Sequence, residues 1–288
     1  MSWAIILHGG AKEIDPEDVD AHRVGCLQAL EAGRRVLAGD GSAVDAVEAA
    51  IRVLEADPTF NAGFGSALNA DGAVEMCASI MEGSGFNVGG VAVIRGVQHP
   101  ISVARALLFK EEILLAGDGA RRFAAENDCE LCHFAALVPR SSGRKPVHLH
   151  DTVGCVALDA AGRMAVGTSA GGLDGAATGR VGDSPMPGCG FYVDDTVGGV
   201  AFSGDGEQIA RRMLAAGVLH RMPNASPDAA LQSALHDVAR IGGSAGGIVL
   251  TPAGAFGWQH NSRDFAVAYQ SSRMAEPACF ANKAQAGH

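Results

Sequence analysis

Residues 139–150 (PRSSGRKPVHLH) mix Pro, Ser, Gly and charge without any apolar period, and the texture of the chain changes across them. This break constrains the fold most. Before it lie helical patterns and a few strands. After it come four consecutive strand-like runs, at 152–159, 163–170, 189–194 and 196–202, the first two joined by a tight turn at Ala160-Ala161-Gly162. Runs of strands with tight turns indicate mainly antiparallel pairing, with helices packed outside. The runs are apolar enough to be buried on both faces, which two stacked sheets between helical layers provide. The expectation is an α+β fold, a four-layer αββα sandwich of two mainly antiparallel sheets, with residues 1–288 as one domain.

Other elements fit that frame. Residues 3–7 read as a short buried strand ended by His8-Gly9-Gly10. Asp15 can cap a helix, Pro16 suits its first position, and Glu17 and Asp18 follow in the first turn. Ser42 with Asp45 three residues on starts a second helix, with Val44, Val47, Ile51 and Leu54 as its apolar face and Pro58 just beyond. Two helices after one strand disfavour a βαβ alternation. Strands are expected at 73–82, 89–95, 244–250, 255–259 and 264–270, and helices at 100–108, 117–127, 206–217 and 227–240. The 39 glycines in 288 residues show no three-residue period, which excludes collagen and points to tight turns and close backbone approaches.

Composition narrows the function. The chain is 48% apolar and 19% charged, enough for a sizeable core and too apolar for disorder. Net charge is −10, and the densest basic stretch, 140–145, holds three positive charges in a Ser/Gly-rich loop, so nucleic-acid binding is excluded. The first apolar run stops at Leu7, too short for a signal peptide, and no stretch approaches the ~20 apolar residues of a membrane span. Seven scattered cysteines, an odd number, suggest reduced thiols and a soluble cytoplasmic protein. Cys129-x-x-Cys132, next to His133, lacks the further ligands of a metal site and reads as a helix-borne pair of ordinary thiols.

The chemistry gathers in three clusters. His150-Asp151-Thr152-Val153-Gly154 follows the loose segment directly. If the bond before Thr152 is cut, its free α-amine, with a pKa of roughly 7.7–8.0, can act as base for its own hydroxyl, one residue being nucleophile and base. Gly179-Arg180-Val181-Gly182-Asp183-Ser184-Pro185 sets a guanidinium and a carboxylate three residues apart, suited to the carboxylate and ammonium of an α-amino acid. Ser203-Gly204-Asp205-Gly206-Glu207 lies between a strand and a helix start, where outward N–H groups and a hydroxyl can form an oxyanion hole. A phosphate loop is the rival there, but no Lys follows, and Asp205 and Glu207 repel phosphate.

Taken with 6–10 (ILHGG), 60–66 (FNAGFGS), 168–172 (TSAGG) and 242–247 (GGSAGG), these clusters make the chain resemble the plant-type L-asparaginase/isoaspartyl peptidase family over roughly residues 4 to 270. That family comprises N-terminal-nucleophile hydrolases related to the glycosylasparaginases. The resemblance implies cleavage between Asp151 and Thr152, with 139–151 as linker, into chains of 151 and 288 − 151 = 137 residues. It implies Thr152 as nucleophile, Arg180 on the substrate α-carboxylate, Asp183 and the Gly206 carbonyl on its ammonium, and Ser203 with the Gly204 N–H at the oxyanion. Substrates would be β-aspartyl dipeptides and L-asparagine, releasing L-aspartate. The αββα sandwich, an (αβ)2 assembly and no required cofactor are implied as well. A structural sodium is implied in the loop 54–64, on main-chain carbonyls among Leu54, Glu55, Asp57, Phe60, Ala62 and Phe64.

Three positions depart from the family pattern. Ala170 stands where a second Thr supports the nucleophile, Ser203 where the oxyanion Thr stands, and Cys77 where an acid stands. Thr168 is two residues away on the same strand face, some ~6.6 Å off. An uncleaved, inactive homologue that only binds is therefore one alternative. A glycosylasparaginase-type amidase, suggested by the Asp151-Thr152 junction and by Asp194-Asp195-Thr196, is the other. Asp205 suggests a preference for a basic leaving group such as Arg. Asn61 is read as a support of the site, and His8 as satisfying backbone groups at a strand end.

Overall fold

The computed structural model describes residues 2–138 and 151–286. The segment 139–150, with the basic stretch and His150, lies outside the described residues. Chain order is β1 (Ala4–Lys12), α1 (Val19–Ala38), α2 (Ala43–Ala56), β2 (Met76–Glu82), β3 (Val88–Ile94), α3 (Pro100–Leu107), β4 (Leu115–Ala116), α4 (Gly117–Glu126) and α5 (Phe134–Leu137). After the segment come β5 (Thr152–Leu158), β6 (Met164–Ala170), β7 (Phe191–Asp194), β8 (Gly198–Gly204), α6 (Gly206–Arg212), α7 (Leu214–Arg221) and α8 (Pro227–Ala239). The chain ends with β9 (Ala245–Leu250), β10 (Phe256–His260), β11 (Asp264–Ser271) and β12 (Ala278–Phe280).

Eight strands form one sheet in the order β12-β11-β1-β5-β6-β2-β3-β4, and four form a second in the order β10-β9-β8-β7. Among the described residues, these strands pair with one another antiparallel except β3 with β4. Three apolar layers set the stacking. Val47, Ile51 and Leu54 of α2 and Leu30 of α1 pack with Ile5, Leu7 and Val153 on one face of the large sheet. The other face, with Ile6, Val156 and Val166, meets Phe191, Ala201 and Ile248 of the small sheet. Val200, Phe202 and Val249 face Ile209, Val218 and Leu231 of the last three helices. Alternate residues of β1 and β5 thus enter different cores, as the period of two requires. The αββα sandwich expected from the apolar runs is the observed architecture.

Several boundaries differ from the sequence reading, each for a local reason. β1 does not stop at His8-Gly9-Gly10 but continues to Lys12 through a register shift between His8 and Ala11. Gly10 makes this possible. Its φ is +110°, and a Cβ there would overlap the Asp151 carboxylate. α1 starts at Val19 rather than Asp15, because the Asp18 N–H closes a turn onto the Asp15 carbonyl at 2.8 Å. Ser42 caps α2 as expected, accepting from the Asp45 N–H at 3.1 Å. The helix expected over 206–217 is broken at Met213, which sits at φ +46°. Cys129 and Cys132 lie in the loop between α4 and α5, not on a helix. β4, α5 and β12 were not anticipated; at two to four residues they are too short to carry a period.

Candidate active site

Thr152 opens β5 at the point where the large sheet meets the end of β8. Its backbone N–H donates to Ser203 Oγ at 3.0 Å, and its Oγ1 lies 2.9 Å from Ser184 Oγ. Ser203 Oγ also accepts from the Ala11 N–H at 2.9 Å, so β1, β5 and β8 meet at one hydroxyl. A pocket opens at this point, lined by Cys77, Thr152, Ala170, Arg180, Asp183, Ser184 and Gly204 among others. Asp151 also lines it, and the room left is about 20 Å3, on the order of one water.

Arg180 and Asp183 share this pocket, brought there by the Gly-flanked loop before β7. Asp183 is buried, and desolvation pushes its carboxyl up to about 7 despite the nearby Arg180 guanidinium. Its Oδ2 has no hydrogen-bond partner among the described residues. Gly206 is the third member. A Cβ there would come within 2.7 Å of Asp183 Oδ1 and 3.1 Å of Arg180 Nη2, so only a glycine lets the start of α6 approach both. The Arg180 fork is engaged in a way the sequence did not suggest: Nε and Nη2 each donate to Glu207 at 2.8 Å. A carboxylate arriving at Arg180 therefore meets its Nη1 side.

The junction itself is held from two sides. Lys12 Nζ lies 2.7 Å from Asp151 Oδ2 in a buried ion pair. Burial pushes the Asp151 carboxyl up, and Lys12 opposes that shift. Asn61 Nδ2 donates to the Asp151 carbonyl at 3.2 Å and to the Gly172 carbonyl at 2.8 Å, while its Oδ1 accepts from the Ala67 N–H at 3.0 Å. The Gly-rich turn thus aims one amide at the carbonyl of the Asp151–Thr152 bond.

Other expected roles shift. His8 is not at a strand end; it lies inside β1, opposite Gly154. Its ring faces the Thr152 backbone, but neither ring nitrogen has a hydrogen-bond partner among the described residues, and burial lowers its pKa to about 3, leaving it neutral. Asp205 Oδ2 accepts from the Ser244 N–H at 2.7 Å, so this carboxylate ties down the turn before β9. Thr168 pairs with Gly154 rather than Thr152, and its hydroxyl donates to the Ser184 carbonyl at 2.7 Å. Ala170 is the residue opposite both Thr152 and Cys77. Burial pushes the Cys77 thiol up to about 11. Lys12 and Ser184 were missed. The motif around Ser184 gives that residue no partner, and nothing local to Lys12 reveals one 139 positions away (151 − 12).

The loop 54–64 wraps the end of α2. Glu55 buries its carboxylate away from the loop, with Oε1 accepting from Ser169 Oγ at 2.7 Å and from the Ile101 N–H at 3.0 Å. Asp57 Oδ1 accepts from the Thr59 N–H at 2.9 Å. Both carboxylates being engaged, main-chain carbonyls are what the loop has to offer. The Glu55 carbonyl presses on Gly63, where a Cβ would overlap it. Among the described residues, no group of three His, Cys, Asp or Glu side chains is arranged to hold a metal.

Comparison with known proteins places the chain in a family. The sequence pattern of the asparaginase family matches residues 1–145 and 136–278. A probable isoaspartyl peptidase/L-asparaginase of Drosophila melanogaster is 37% identical, covering 92% of this chain and 91% of its own length. The isoaspartyl peptidase/L-asparaginase of Bos taurus is 38% identical over 93% of this chain and 94% of its own, and that of Xenopus laevis 39% over 88% and 87%. With a family match covering residues 1–145 and 136–278, and relatives 37% and 38% identical over 92% and 93% of the chain, this chain belongs to the asparaginase family of hydrolases.

Proposed function

We propose that the chain cleaves itself between Asp151 and Thr152 and then, as a threonine hydrolase, releases L-aspartate from β-aspartyl dipeptides and L-asparagine. One observation carries this reading: the nitrogen and hydroxyl of Thr152 meet in the same pocket as Arg180 and Asp183. A nucleophile and an amino-acid clamp side by side serve to hold and attack one substrate. The relatives' names supply the substrate class.

In self-cleavage, Thr152 Oγ1 attacks the Asp151 carbonyl, which Asn61 polarises, while Lys12 and Gly10 keep the Asp151 side chain still; the Asp151–Thr152 C–N bond breaks, the nitrogen ends with the hydroxyl's proton, and water hydrolyses the resulting ester to part the two chains. In turnover, the Arg180 guanidinium takes the substrate α-carboxylate, and Asp183 with the Gly206 carbonyl takes the ammonium. The freed Thr152 amine removes the hydroxyl proton, Oγ1 attacks the β-carbonyl, and the charge on oxygen falls beside Ser203 and the Gly204 N–H. The leaving amine departs protonated, and water hydrolyses the aspartyl ester.

The same reading includes a structural sodium held by carbonyls of the 54–64 loop, which would stiffen the turn carrying Asn61. It also includes an (αβ)2 assembly and a cytoplasmic setting, which seven free thiols support. The test is intact mass under denaturing conditions with an aspartate-release assay. Two fragments of 151 and 137 residues, the second starting at Thr152, with aspartate released from a β-aspartyl dipeptide, are expected. A persistent single chain that releases none sinks the proposal.

A further inference from the structure

Ser184 Oγ lies 2.9 Å from Thr152 Oγ1, and both side chains are buried. Directly across the β5–β6 ladder from Thr152 stands Ala170, which offers no polar atom. The hydroxyl beside Thr152 comes instead from the loop that carries Arg180 and Asp183. That loop is pinned behind Ser184, because the Thr168 hydroxyl donates to the Ser184 carbonyl at 2.7 Å.

We propose that Ser184 is a positioning residue that aims the Thr152 hydroxyl, and that Thr168 holds Ser184 in place to do so. This rests on the threonine-hydrolase reading above. The direction of the hydrogen bond follows from the chemistry. The Thr152 amine must receive the Thr152 hydroxyl proton, so that proton points to nitrogen and Ser184 is the donor to Oγ1. No proton is transferred to or from Ser184. As Oγ1 loses its own proton it gains negative charge, and a hydrogen bond to a charged acceptor is roughly twice as strong as a neutral one. The contact therefore strengthens as attack begins, which raises kcat rather than lowering KM. Ser184 also adjoins Asp183 in sequence, so one loop fixes both the substrate ammonium and the attacking oxygen.

Ser184→Ala should lower kcat by about 10- to 100-fold, the span of one hydrogen bond to a developing charge, with KM unchanged. It should slow self-cleavage as well, since the same oxygen attacks. Ser184→Thr keeps the hydroxyl and should recover most of both rates. Directly opposed residues have Cβ atoms about 4.5–5.5 Å apart, so adding Ala170→Ser to Ser184→Ala should recover part of the loss from the other strand. A merely structural role for Ser184 cannot produce that rescue. If Ser184→Ala fails to mature, the self-cleavage rates of the rescued variants, followed by intact mass, give the same reading. Wild-type kcat and wild-type cleavage in Ser184→Ala would overturn the proposal. So would a loss that neither Ser184→Thr nor Ala170→Ser repairs. A wild-type chain that neither cleaves itself nor releases aspartate would instead refute the hydrolase reading.

Discussion

Asp183 carries the sharpest pH consequence at the residue scale. Burial places its carboxyl at about 7, so on the proposed role a substrate ammonium would find a charged partner only as the pH rises through neutrality. KM should rise about tenfold per unit below pH 7, and Asp183→Asn should flatten that dependence. The sign for stability is opposite. The folded state keeps a proton that an unfolded Asp, at 3.8, has already lost. Folding stability should therefore decline as pH climbs from about 4 to 7, and Asp183→Asn should remove that slope from a urea series. Arg180→Lys should raise KM sharply in initial-rate assays, because a point charge cannot hold Glu207 and a substrate carboxylate together as the fork does. Thr152, Arg180 and Asp183 were legible because each sits in a short motif whose residue types imply a chemistry. Lys12 and Ser184 were not, because their tasks arise from partners on other elements.

At the scale of elements, periodicity located the long helices and strands but not their interruptions. Met213 is an exposed, non-glycine residue in left-handed conformation between α6 and α7. Such a conformation costs roughly 1–2 kcal/mol for an ordinary L-residue, and Asn adopts it more readily. Met213→Asn should stabilise the fold by up to about 1 kcal/mol, seen as a raised denaturant midpoint at unchanged m-value; β-branched Met213→Val should lower it. The apolar pattern runs through this break because Ile209, Leu214 and Val218 all face one core. The continuation of β1 through two glycines was hidden for the opposite reason. Glycine marks a turn in most contexts, and here Gly10 stays in the strand to make way for the Asp151 side chain.

At the scale of the molecule, the two parts of the chain are interleaved. In the large sheet β1 lies between β11 and β5, and β6 pairs with β2, so strands from before and after residues 139–150 meet at three ladders. Cleavage at Thr152 would leave those ladders and their two flanking cores intact. Native mass spectrometry of the processed protein should accordingly find both fragments in one particle, and denaturant should release them in a single cooperative transition. Separate release of the fragments would mean that the interleaved sheet does not hold them.

By itself the sequence determined the layer architecture and set Thr152, Arg180 and Asp183 in short motifs whose residue types imply a chemistry. Apolar periodicity and short motifs depend only on near neighbours along the chain. The tertiary structure alone decided that Ser184 supplies the hydroxyl beside Thr152, that Lys12 pairs with Asp151, that Asn61 addresses the Asp151 carbonyl and that Glu207 occupies one edge of Arg180. These are meetings of side chains from different strands and loops. Which atoms meet is set by sheet register and by the closing of four layers on one another, a geometry that no local stretch of residues encodes.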